Sequence, residues 1–350
     1  MTPKTMVLVL IFSFMASTAW AWEASVFEGE PADAEDADLL PHRAASDRQF
    51  YSEDYTFTFR LTGTVEMHMK VGMSNLLGGP GSAFADGYVK TRGKKHPMQG
   101  AFAKGTWSSD ANRFKVKMPD FSMRGDRRVI KLRFDADGAK VDAELRAVVP
   151  GFRPGTGKVV LADQGYVSMV VWPKMQVTGT VQVGEVKYRL AGYCIFTHAA
   201  TTVEPQHIPS TWFYFKGKDP DHPVLFQGFQ LTEQFGGTRH GWAVAVQGEK
   251  YVLRTNRLTI EPTNVKDTRG AALPWSLLLK GPDGEVMGAI KADKLGGVRD
   301  RLKKLPALQA AIIRKFINPR RYLFRAEMEL SDGAGKSTRT VGEYKVETMR

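Results

Sequence analysis

Residues 191–214 read AGYCIFTHAATTVEPQHIPSTWFY, and the fold is decided by how this stretch is divided. An apolar strand ends near Phe196, a connector carries His198, Glu204, Pro205, His207 and Pro209, and a second apolar strand begins near Thr211. The two prolines remove backbone donors and fix φ, so neither a helix nor a sheet ladder can run through the connector. The stretch is therefore a structured junction near the middle of the chain.

Outward from the junction, both halves read as strands. Tyr55, Phe57, Phe59 and Leu61 alternate with Thr56, Thr58, Arg60 and Thr62, a period of two that sets one face on apolar material and the other on water. Similar segments follow at 66–73, 84–91, 100–107, 113–118, 129–135, 141–148, 158–161, 166–172, 176–183 and 186–196, with turn signals at Asp137-Gly138 and Gly184-Glu185. Beyond the junction they recur at 225–232, 241–247, 251–255, 257–262, 275–280, 286–292, 322–330 and 339–347. Many short strands with scarcely any helix mean a sandwich or barrel. A faint echo, VGEVK at 183–187 against VGEYK at 341–345, hints at duplication. The exception is 298–316, where Val298, Leu302, Leu305, Leu308, Ile312 and Phe316 recur at helical spacing with Pro306 interrupting, so a short amphipathic helix or a kinked pair is expected.

Gly192, His198, Ala199, Pro205, His207 and Trp212, in that order and spacing, resemble the junction segment of the survival-factor family of tandem lipocalin-like proteins, part of a superfamily that includes carotenoid hydratases. Residues 224–246 are similar to that family's opening of the second barrel, and NPRRYLFRAEMEL at 318–330 to its C-terminal part. The resemblance runs from about Gln49 to the end. It implies an all-β fold of two tandem lipocalin-like antiparallel β-barrels with the short amphipathic helix near the C-terminus, and a role in handling lipids or isoprenoids.

The expected division is a signal peptide at 1–21, an acidic disordered spacer at 22–46, an N-terminal barrel at 47–215 and a C-terminal barrel at 216–350. The leader has one lysine, an apolar run at 6–15 and alanines at 19 and 21, a secretory pattern too short to span a membrane. The spacer holds seven acidic residues and neither Lys nor Arg between Trp22 and His42. Export, with the periplasm of a Gram-negative-type bacterium as destination, is the localisation these features predict. The single Cys194 cannot form an internal disulfide, so packing and closed sheets must supply stability.

The net charge of +12 gathers in clusters at 90–95, 124–133, 299–304 and 314–321. With export expected, nucleic acid is set aside as a partner, and an anionic membrane surface or a solvated basic face remains. Zinc-protease, dithiol, nucleophile-elbow and phosphate-loop motifs are missing; no metal site or cofactor is expected.

His198 is the one candidate for catalysis. In the hydratase-like branch the matching histidine follows an aspartate, whereas Thr197 precedes it here, so the resemblance implies a hydrogen-bonded histidine at a mouth or domain interface rather than an alkene-protonating acid. The expected ligand-binding set is His198, His207, Trp212, Phe213, Tyr214, Phe229 and Trp242. The reading is an exported binding or carrier protein for a hydrophobic small molecule, a lipid or isoprenoid. The alternatives are an isoprenoid- or carotenoid-modifying enzyme of hydratase or cyclase type using His198, and a ligand-free stress-related interaction module.

Overall fold

The computed structural model describes residues 22–42, 47–75, 80–161, 165–304, 310, 311, 314, 315, 317–331 and 337–349. Two short strands come first, β1 (Ala24–Val26) and β2 (Ala32–Asp33). The first long run comprises β3 (Ser52–Leu61), β4 (Val65–Ser74), β5 (Ser82–Thr91), β6 (Lys94–Phe102), β7 (Ser108–Ser109), β8 (Phe114–Met118), β9 (Phe121–Gly125), β10 (Val129–Ala136), β11 (Ala139–Ala147), β12 (Phe152–Arg153), β13 (Lys158–Leu161), β14 (Tyr166–Val183) and β15 (Val186–Thr201). The second is β16 (Thr211–Gly217), β17 (Val224–Gln230), β18 (Arg239–Gln247), β19 (Lys250–Asp267), β20 (Ala272–Lys280), β21 (Val286–Asp300), β22 (Arg320–Ser331) and β23 (Ser337–Thr348).

The first run curls into one antiparallel sheet ordered β6-β5-β4-β3-β15-β14-β11-β10-β9-β8-β7. Its alternating positions place Tyr55, Phe57, Phe59, Met67, Met69 and Val71 inside, with Phe114 of β8 reaching Tyr55 and Phe196 across the interior at 5.5 and 6.3 Å between ring centres. β14 is one long strand where the sequence reads two; a register shift between Trp172 and Met175, around Pro173, bends it instead of ending it.

The second run closes as β16 through β23, with β16 pairing β23. Phe213, Phe215, Phe226, Tyr322, Phe324 and Tyr344 fill its interior, the packing expected of an eight-stranded barrel. Two barrel-type units in tandem, all β, are therefore the architecture. β16 belongs to the closed barrel, so the units divide within the connector between Thr201 and Thr211 rather than at residue 215. That connector holds only a 3-10 turn at Pro205–His207, as its prolines require.

Two sequence expectations need correcting. The helix expected from Val298 does not begin there: Val298 is paired with Tyr322 in the β21–β22 ladder, which satisfies its backbone, and Arg301–Lys304 form a 3-10 turn. Ala310, Ala311 and Arg314 are helical, and most of the remaining segment lies outside the described residues. The expected leader, 1–21, lies outside them too.

Nor are residues 22–42 a disordered spacer. β1 pairs β13, β2 pairs β12, and Asp36–Leu39 form a 3-10 turn. Phe27, Ala34 and Leu39 are buried, and Trp22 N–H donates to Gln234 O of the barrel. The acids of this strap meet arginines from both units: Asp38 with Arg153 at 3.2 Å, Asp33 with Arg254 at 2.5 Å and Glu30 with Arg257 at 2.7 Å. Gly151 and Gly155 admit it, because a Cβ at either would lie within 2.8 Å of strap atoms. Segments with few apolar residues order when each is buried and the backbone is paired. Behind the strap, Phe27, Phe152, Val171, Trp212, Phe229 and Trp242 form a third core between the units.

Candidate functional site

The chemistry of the first unit concentrates at the start of β3. Tyr51, Glu53, Tyr55 and Phe57 share one parity, so Glu53 points inward with the aromatic residues, fully buried. On the neighbouring β15, His198 lies opposite Tyr55 and its ring is stacked on that tyrosine, 4.3 Å between centres at 8°. His198 Nε2 is 2.6 Å from Glu53 Oε1, and its Nδ1 is 2.6 Å from the Asp38 carbonyl of the strap. A carboxylate and a carbonyl only accept, so both ring nitrogens donate and His198 is an imidazolium.

Glu53 is enclosed by donors. Tyr55 OH reaches Oε1 at 2.9 Å, while Tyr51 OH and, at 3.0 Å, the backbone N–H of His42 reach Oε2. Burial would raise the Glu53 carboxyl, but the hydrogen bonds from His198 and Tyr51 and the charge on His198 outweigh it and hold it below the usual carboxylate range. Burial works against the His198 cation, and Glu53 overrides it, raising His198 above the ordinary histidine value. His42 is pushed down to about 4, first by burial and then by the His198 charge; its Nδ1 meets Tyr166 OH at 2.7 Å. The acid missing before His198 in the sequence is thus present across the sheet, as Glu53.

This saturated network sits beside open space. A cavity of about 530 Å³ is lined by Pro41 of the strap, Tyr51, Met73, Trp107, Lys104 and Asp47, with serines and Asn75 on its wall. Tyr51 is the link: it lines the cavity and donates to Glu53. Met73 lines the cavity, and behind it the first core holds six further buried methionines among the described residues, Met67, Met69, Met98, Met118, Met123 and Met175, side chains that repack around flexible chains. Ceding hydrogen bonds at one edge and apolar contact at the other, such a site can hold an amphiphile with its polar end at the mouth.

Of the residues expected to bind ligand, His198 alone joins this network. Trp212, Phe229 and Trp242 lie in the core between the units, with Trp212 stacked on Tyr214 and Trp242 5.5 Å from Phe152. His207 packs on Trp22 and Phe235, and Phe213 faces the closed barrel's interior. None of them lines the cavity. Sequence reading missed Glu53, Tyr51 and His42; the parity shared by Glu53 with Tyr55 and Phe57 was the available signal for the first two. Among the described residues no group of His, Cys, Asp and Glu has the arrangement of a metal site.

A family model described as the Svf1 family matches residues 96–325. The ceramide-binding protein SVF1 of Debaryomyces hansenii is 21% identical over 215 residues, covering 56% of this chain and 57% of that protein. The ceramide-binding protein svf1 of Emericella nidulans is 24% identical over 204 residues, covering 54% of each. The chain spans about half the length of these curated relatives. Among solved structures, a protein of Nitrosomonas europaea assigned as AttH superposes with a TM-score of 0.53 at 14% identity, over 89% of this chain and 95% of that one. The structure of CghA superposes with a TM-score of 0.57 at 10% identity, over 94% and 96%. At such identities these two likenesses concern the fold.

Proposed function

The chain belongs to the Svf1 family, and from that premise we propose that it is a binding or carrier protein for a hydrophobic ligand, a lipid of the ceramide kind, held in the first unit. The observation that carries this reading is the cavity of about 530 Å³ bounded by Tyr51 and the strap residue Pro41 over a methionine-rich interior. Its volume falls in the range of ligand pockets, roughly 300–1,000 Å³. The relatives named for ceramide binding support the ligand class. Serine hydroxyls and the Asn75 amide on the cavity wall suit the hydroxyl and amide groups of such a lipid, and the methionines suit its chains.

The apolar run at 6–15 and the alanines at 19 and 21 support export to a periplasm, where a carrier would move its ligand through water. Docking of a chain with net charge +12 on anionic membrane surfaces belongs to the same proposal.

The test is mass spectrometry of organic extracts from protein purified without detergent, followed by titration of the delipidated full chain with a fluorescent ceramide. A stoichiometric lipid, and a Ser109→Trp variant that binds the probe at least tenfold more weakly while melting normally, is the expected result. Empty protein that also ignores the probe overturns the reading.

The imidazolium of His198 beside Glu53 favours a second reading, an isoprenoid-modifying enzyme of hydratase or cyclase type. It requires the Asp38 carbonyl to release Nδ1 so that a substrate can take the proton. His198→Ala separates the two: lost turnover with ligand retained supports the enzyme, and weakened folding or ligand binding overturns it.

A further inference from the structure

The two units also meet where the outward faces of β3 and β16 oppose each other. Thr58 and Arg60 alternate with the buried Phe57 and Phe59, so they face away from the first core, and His68 lies opposite Thr58 on β4. From the barrel, Lys216 of β16 crosses the seam and its Nζ donates to Thr58 Oγ1 at 3.1 Å. Lys216 is cross-strand from Glu343, and Lys345, two residues further along β23, spends its ammonium on that carboxylate at 2.9 Å.

The charges do not balance. Lys216 forms no ion pair among the described residues, and its amino group is pushed down to about 7, first by burial and then by the charges of Lys345 and Arg60, against the weaker opposing pull of Glu343 and Cys194. His68 is pushed down to about 4, by burial first and then by Lys216 and Lys345. Arg60, Lys216 and Lys345 share the Glu343 carboxylate, with Asp86 acting on His68 beyond them, and Lys216 and His68 are displaced toward their neutral forms. A buried cation among like charges is costly unless an anion joins it. Such a cluster, with the Thr58 hydroxyl bonded to Lys216, has the composition of an anion cradle.

We propose that the seam formed by Arg60, Lys216 and Lys345 with the Thr58 hydroxyl is a binding site for a tetrahedral oxyanion of phosphate or sulfate type, clamping the two units together. The anion is either a free ion or a phospholipid headgroup. The site is separate from the cavity, so its fate is independent of the ligand assigned there.

The experiment follows thermal melting of the full chain with inorganic sulfate against chloride at equal ionic strength. Sulfate keeps its charge between pH 6 and 8, so any pH dependence belongs to the protein. The expected result is saturable stabilisation by sulfate, about tenfold tighter at pH 6 than at pH 8, as Lys216 protonates. Lys216→Met, which removes the desolvated amine, melts no lower than wild type in chloride and loses at least tenfold in sulfate affinity. Arg60→Gln loses affinity too but keeps the pH dependence. Vesicles of phosphatidylcholine with and without phosphatidic acid identify the source. Binding that needs both phosphatidic acid and Lys216, without a free-sulfate effect, assigns the headgroup; a sulfate effect assigns the free ion. If neither sulfate nor phosphatidic acid acts beyond chloride, or if Lys216→Met and Arg60→Gln respond as wild type does, the proposal is overturned.

Discussion

The two units share antiparallel pairing and inward alternation of apolar residues, yet one is a curled sheet of many strands and the other a closed eight-stranded barrel, and their interiors differ in material. The closed barrel is filled by rigid rings, with Phe324 5.6 Å from Tyr344 and 5.3 Å from Trp275, and a single methionine, Met328, in its core. The curled sheet buries rings as well, but among them it holds seven methionines of the described residues, a fully buried carboxylate–imidazolium pair and a cavity at its edge. Rings lock a shape, whereas thioethers adapt to one. The difference teaches that two barrel-type units of one chain can be built for different ends: the closed barrel is packed with rings, and the curled sheet keeps a buried polar network and open space at its edge.

The sharpest way to break that contrast is to damage each interior in its own material. Glu53→Leu removes the acceptor shared by the His198 imidazolium, the Tyr51 and Tyr55 hydroxyls and the His42 amide. We expect a loss of about 3–5 kcal/mol, the cost of breaking a buried pair, read as a lower melting temperature with faster proteolysis within residues 22–42. Phe324→Ala in the barrel should cost about 3–5 kcal/mol through its cavity, read by urea denaturation, with the strap cut no faster before global unfolding.

Acid should act on the first unit before the barrel core. His42 titrates near 4 when folded and near 6.5 when unfolded, so the unfolded chain binds the extra proton between those values. Its stabilising contribution is present above pH 6.5 and is lost as pH falls toward 4, by up to about 3 kcal/mol. His198 has the opposite sign: its raised value gives stability that is fully present below 6.5 and is lost as pH rises through the folded value. A melting profile from pH 4 to 9 should be flattened on its acid limb by His42→Asn; an unchanged limb would remove His42 from the account.

Smaller effects test room. Ala326→Leu overpacks the barrel and should cost about 1–3 kcal/mol in urea denaturation, whereas Ser109→Leu at the cavity wall should stay within about 0.5 kcal/mol. Smallest of all, Met73→Leu on the cavity wall should cost under about 1.5 kcal/mol while changing the chain-length preference of bound lipid in extracts.

The sequence made the strands legible because alternation is local: Tyr55 to Leu61 reads correctly without knowing what packs on it. The long strands β14 and β19 were read as pairs, since Pro173 and the irregular 251–262 pattern look like endings when the partner strand that carries them through is unseen. The echo at 183–187 and 341–345 misleads for a similar reason. The first copy makes the β14–β15 turn with Gly184 at φ +57°, and the second lies inside β23. His198 was visible by type and position, but its partner lies 145 residues away, where Ser52-Glu53-Asp54 resembles a solvated strand end. The strap was hidden by composition, because its order comes from arginines and carbonyls contributed by both units rather than from its own residues.

That strap also constrains how the molecule comes into being. Its partners extend from Glu53 to Arg257, so the earliest described residues to leave the ribosome pair in part with segments made much later. Contacts of such long sequence separation slow the search for the native state. The strap can dock only after both units have taken shape, which leaves the nascent chain incompletely closed, and open to chaperones, until most of it has been synthesised.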